Sequence, residues 1–146
     1  MSITPAHILL VEDSPTDIEL TREVLGEARV LNQLHAVTDG ERALSYLRGE
    51  GEYAGAPRPD FVLLDLNLPR MGGIEVLRAM KADPALCDIP VIVLTTSSDE
   101  ADVLGAYREQ ASSFIVKPVD LDQFVRVVKT IEGYWLSIVK LPKAAG

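Results

Sequence analysis

The stretch Phe61-Val62-Leu63-Leu64-Asp65 is a run of four apolar residues closed by a carboxylate. It does not alternate apolar with polar, so it does not describe a strand with one wet face. A short continuous run of this kind suits a strand buried on both faces, which is the condition of a parallel sheet. His7-Ile8-Leu9-Leu10-Val11, Val91-Ile92-Val93-Leu94 and Phe114-Ile115-Val116 repeat the pattern, and Leu34-His35-Ala36-Val37 is a weaker fifth candidate. Helical punctuation fills the intervals. Ser14-Pro15 offers an N-cap and a proline at the first helical position, with Ile18, Thr21 and Leu25 following at helical spacing and Gly26 near the end. Ala43, Leu44 and Leu47 form a second helix stopped by Gly49, and Ile74, Leu77 and Met80 a third ended by Asp83-Pro84. Ser97-Ser98-Asp99-Glu100 reads as a capping box before Val103, Leu104 and Tyr107. Asp120-Leu121-Asp122-Gln123 opens a fifth helix through Phe124, Val125, Val128 and Ile131. Strand and helix alternate five times, which predicts a five-stranded parallel sheet between two helical layers.

The 146 residues fit one domain, and 47% hydrophobic against 25% charged residues excludes a disordered or collagen-like chain. A net charge of −8 repels phosphate backbones and anionic lipids, so neither nucleic acid nor membrane is an expected partner. The single cysteine, Cys87, excludes an intrachain disulfide, and with two histidines it cannot build a zinc site. Met1 to Pro5 lack a signal peptide's basic flank and apolar run, and no stretch approaches the ~18–20 apolar residues of a membrane span. The expectation is a cytoplasmic protein. Residues 49–59, rich in Gly and Pro, read as a surface insertion because they carry no apolar periodicity. The core is expected over about residues 6–133, with an apolar extension at 134–146 and no appended DNA-binding domain.

Sites in an open parallel sheet form outside the carboxyl ends of its strands. Those ends are Glu12-Asp13, Asp65, Thr95-Thr96 and Lys117-Pro118. Each has an ordinary explanation alone: helix-end acidity, a solvated strand end, a capping hydroxyl, a surface lysine. Their occurrence at the same end of successive buried strands does not. Neighbouring strands lie ~4.8 Å apart. Two carboxylates at ~4 Å repel by about 4 kcal/mol at an effective dielectric near 20. Such a cluster calls for a cation, and few carboxylates with a phosphate oxygen and waters is how proteins hold Mg²⁺.

Leu9-Leu10-Val11-Glu12-Asp13, Leu64-Asp65-Leu66-Asn67-Leu68-Pro69 with Gly73 after it, Thr95, and Lys117-Pro118 together resemble the receiver domain of two-component response regulators. The resemblance implies a flavodoxin-like fold of strand order 2-1-3-4-5. It implies that Asp65 accepts a phosphoryl group from a sensor histidine kinase, without the protein being an enzyme in the ordinary sense. Asp13, Asp65 and the Asn67 main-chain carbonyl would bind Mg²⁺, with Glu12 in support. Thr95 would follow the phosphoryl oxygen and Lys117 would contact it. Phe114 stands where the family often has a switching tyrosine or histidine, so an inward rotation would carry no hydroxyl. Gln110 and Ser112-Ser113 replace a common glycine-containing turn, and the Lys117-Pro118 bond is expected to be cis. The loop at 49–59 and the apolar tail resemble single-domain regulators that accompany phytochrome-type kinases.

Other readings fit less well. A haloacid-dehalogenase-like phosphatase, which also uses an aspartate nucleophile, generally needs a second aspartate where Asn67 stands. A flavodoxin-like FMN carrier would not place Glu12-Asp13 against a phosphate. A P-loop motif is absent from the sequence. A receiver-shaped interaction module that is never phosphorylated would have no use for the acid cluster. His7 and His35 lie in or beside predicted strands and read as structural. The fifth helix and the tail leave a second apolar set, Val127, Tyr134, Trp135, Leu136, Ile138 and Val139, which predicts a homodimer.

Overall fold

A computed structural model of the chain describes residues 6–27, 32–66, 68, 69, 71–95 and 113–128. Its elements are β1 (Ala6–Val11), α1 (Pro15–Glu27), β2 (Asn32–Val37), α2 (Gly40–Arg48), a 3₁₀ turn (Gly51–Tyr53), β3 (Phe61–Asp65), α3 (Gly73–Ala82), β4 (Val91–Thr95), β5 (Ser113–Val116) and α4 (Leu121–Val128). The expected fourth helix, near 97–107, lies outside the described residues, so α4 is the fifth helix of the sequence reading. The sheet runs β2-β1-β3-β4-β5 with every pairing parallel.

The continuous apolar runs are explained by burial on both faces. Leu9, Val11, Val62, Leu64, Val91 and Val93 pack on one side with Ala43 and Leu44 of α2 and Val76, Leu77 and Met80 of α3. Ile8, Leu10, Phe61, Leu63, Ile92, Leu94 and Ile115 pack on the other with Leu25 of α1 and Phe124 of α4. Consecutive side chains point to opposite faces, so both parities must be apolar. The edge strand β2 is only partly buried, which is why its sequence signal is weak.

The helix ends follow their local chemistry. The Ser14 hydroxyl accepts the Asp17 N–H at 3.2 Å, as its sequence position predicts. Asp39 caps α2 by accepting the Arg42 N–H at 2.8 Å. Gly49 ends α2 at φ 65°, the left-handed region that glycine enters without steric cost. Residues 49–59 are mostly exposed, as a surface insertion would be, with two partly buried anchors. Tyr53 and Ala56 pack against the core, and the Tyr53 ring lies 5.4 Å from that of Tyr46. Two isolated apolar residues produce no periodicity, so their anchoring role left no pattern to read. His7 and His35 lie in β1 and β2 with ring centroids 5.6 Å apart. Burial, and then the neighbouring His7, hold His35 below its ordinary pKa.

Candidate functional site

The register places the strand ends side by side. Val11 of β1 pairs with Leu64 of β3 and Val37 of β2, and Asp65 of β3 pairs with Leu94 of β4. Glu12 and Asp65 therefore leave adjacent strands at one edge. Glu12, Asp65 and Thr95 are buried, at 1%, 3% and 1% exposure, while Asp13 is open to solvent. Oxygens of Glu12, Asp13 and Asp65 lie within 4.8 Å of one another. Three hard oxygen donors so close fit a divalent cation by donor type and spacing.

Lys117 reaches into this cluster from the end of β5. Its backbone N–H donates to the Thr95 carbonyl at 2.7 Å, which ties the β5 exit to β4. Its ammonium lies 2.5 Å from Glu12 Oε1, 3.1 Å from Asp17 Oδ2 and 3.2 Å from Asp65 Oδ2. Burial pushes the Glu12 carboxyl up to about 7; Lys117 opposes that rise and Asp65 adds to it. Burial alone would lower the Lys117 ammonium, but hydrogen bonds to Glu12 and Asp17 and the Asp65 charge outweigh it and raise the group above its ordinary value. The lysine is a fixed cation, whereas Glu12 is the group whose protonation the site controls.

Two devices hold the frame. Gly73 lies against the Asp65 backbone, where any Cβ would collide with the Asp65 carbonyl oxygen, and its N–H donates to the Leu66 carbonyl at 3.1 Å. The start of α3 therefore braces the Asp65 turn only because residue 73 has no side chain. Gln123 of α4 accepts the Val116 N–H at 3.1 Å and donates to the Val116 carbonyl at 3.0 Å, so its amide fastens the chain just before Lys117. The Lys117–Pro118 bond is cis, as the sequence resemblance implied.

Glu12, Asp13, Asp65, Thr95 and Lys117 thus share one edge. Phe114, paired with Val93, is half-buried against the α2–α3 side of the core. Asn67, Gln110 and Ser112 lie outside the described residues, as does the tail at 134–146. The site roles of two polar residues have no sequence pattern of their own. Asp17 reads there as a helix N-terminal acid, and only its spacing of four from Asp13 hints that it faces the site. Gln123 reads as part of a helix start.

The sequence pattern of the response regulator receiver domain family matches residues 8–129, and the chain belongs to that family. It is 44% identical to the response regulator Rcp1 of Synechocystis over 140 residues, covering 96% of this chain and 95% of Rcp1. The crystal structure of the phosphorylated cyanobacterial phytochrome response regulator RcpA superposes with a TM-score of 0.78 at 47% identity, over 92% of this chain and 96% of RcpA. The Mn²⁺-bound form of Rcp1 superposes with a TM-score of 0.76 at 44% identity, over 90% of this chain and 95% of that one. Among the described residues, no helix is long and apolar enough to cross a membrane.

Proposed function

We propose that the chain is a phosphoacceptor that takes a phosphoryl group from a sensor histidine kinase onto Asp65, with Mg²⁺, in a cytoplasmic two-component pathway. One observation carries the reading. A buried carboxylate, Asp65, has a lysine ammonium 3.2 Å away and two further carboxylates within reach of a shared cation.

The step is a displacement at phosphorus. An Asp65 carboxylate oxygen attacks, the new O–P bond forms as the N–P bond of the donor phosphohistidine breaks, and the imidazole leaves with the bond's electron pair. A carboxylate is a weak nucleophile, so alignment and charge neutralisation must do most of the acceleration. Asp13, Asp65 and the Asn67 carbonyl would hold Mg²⁺, with Glu12 in support; when bound it supplies positive charge to the transferring oxygens. Lys117 supplies the same from the β5 side, being already fixed beside Asp65. Burial of Asp65 limits water around the nucleophile and strengthens both attractions.

Thr95 and Phe114 form the switch in this reading. The Thr95 hydroxyl moves to the phosphoryl oxygen and Phe114 fills the space released, as an apolar plug. A homodimer through the last helix and the 134–146 extension completes the proposal, and phytochrome-type kinases are the proposed partners. Phosphotransfer profiling against a set of purified histidine kinases tests it. Rapid label transfer from a phytochrome-type kinase supports the assignment; transfer only from other kinases removes the phytochrome link, and transfer from none removes the acceptor role.

A further inference from the structure

Among the described residues that contact the Lys117 ammonium, Asp17 is the one that the proposed chemistry does not use. It lies on the first turn of α1, and its Oδ2 accepts from the Lys117 ammonium at 3.1 Å, while Asp65 Oδ2 accepts from the same ammonium at 3.2 Å. With Glu12, these two carboxylates share one cation. They differ in access, for the Asp65 side chain is 4% exposed and that of Asp17 is 35% exposed. Asp17 also lines a small cleft with Leu20, Thr21, Lys117, Pro118 and Val119, on the side of the lysine where α1 meets the loop after β5.

A phosphoryl group on Asp65 needs the ammonium for its own oxygens. We propose that Asp17 is a positioning residue that competes for Lys117, holding part of the ammonium's charge toward α1 and weakening the pocket's grip on a phosphoryl-like anion. It acts through the lysine. An amide of the same shape keeps a carbonyl oxygen to accept from Lys117 but removes the competing negative charge. A carboxylate this near the surface is partly screened, so the expected change is about three- to tenfold in anion affinity.

The inference rests on the phosphoacceptor reading, and the test separates the two. Isothermal titration calorimetry of the full chain with beryllofluoride at saturating Mg²⁺ is run on wild type, Asp17→Asn, Asp17→Glu and Asp65→Asn, at low and high NaCl. The expected result is tighter beryllofluoride binding by Asp17→Asn, a gain that shrinks at high salt as a charge effect must, and wild-type affinity in Asp17→Glu. A merely structural role would weaken binding in Asp17→Asn and show no such salt dependence. Equal or weaker binding by Asp17→Asn, with wild type binding and Asp65→Asn silent, overturns this inference alone. Absence of binding by wild type, or its persistence in Asp65→Asn, overturns the phosphoacceptor reading on which it stands.

Discussion

Replacing Lys117 with methionine keeps most of the length of the side chain and removes its charge, leaving Glu12 and Asp65 without the lysine cation. Both carboxylates are nearly solvent-free, and the lysine side chain is only 10% exposed. Removing one partner of a buried ion pair costs about 3–5 kcal/mol. Asp17 is more exposed and adds little to that figure. The cost must depend on pH. Glu12 has a folded pKa raised from 4.5 to about 7, so its contribution to stability is complete below 4.5 and is lost as pH rises through about 7. Lys117 opposes that rise, so its removal pushes Glu12 higher still, and the carboxyl stays protonated and tolerated at pH 6. At pH 8 it must ionise beside Asp65 or resist at further cost. For a chain of this size 1 kcal/mol shifts the melting temperature by roughly 3–4 °C, so metal-free Lys117→Met should melt about 10–20 °C below wild type at pH 8. The gap should be distinctly smaller at pH 6, and saturating Mg²⁺ at pH 8 should narrow it by supplying a replacement cation. Thermal unfolding followed by circular dichroism in EDTA and in Mg²⁺ measures all three. Equal losses at both pH values, with no narrowing by Mg²⁺, would refute the electrostatic account of the cluster.

Two further perturbations address the frame. Gly73→Ala forces a methyl group into the Asp65 backbone, and overpacking of this kind should destabilise by ~1–3 kcal/mol and slow Mg²⁺-dependent phosphorylation, read by urea unfolding and label uptake. Asp39→Ala removes the side-chain cap of α2 and should cost ~1 kcal/mol in the same unfolding assay.

The fold was legible because doubly buried strands must be apolar at every position, which no amphipathic helix imitates over so short a run. Leu63 and Leu64, fully buried on opposite faces of β3, are the plainest instance. The site was legible because a parallel sheet delivers every strand's carboxyl end to one edge, so Glu12, Asp65, Thr95 and Lys117 could be gathered without knowing any distance. What stayed hidden depends on side-chain reach between distant segments. The Asp17–Lys117 contact joins residues a hundred positions apart through two side chains, and no local pattern encodes it. The Gln123 amide spans the turn before α4 to grip Val116, and a glutamine in a helix start is ordinary on its face. Tyr53 and Ala56 anchor the long loop singly, without a repeat.

Incubation of the purified chain with a small acyl phosphate donor, with intact-mass detection, tests the central claim most directly. The account predicts one phosphoryl adduct that requires Mg²⁺, survives acid, is lost in base, and is absent from Asp65→Asn. A full adduct on Asp65→Asn, or one formed equally well in EDTA, would contradict it.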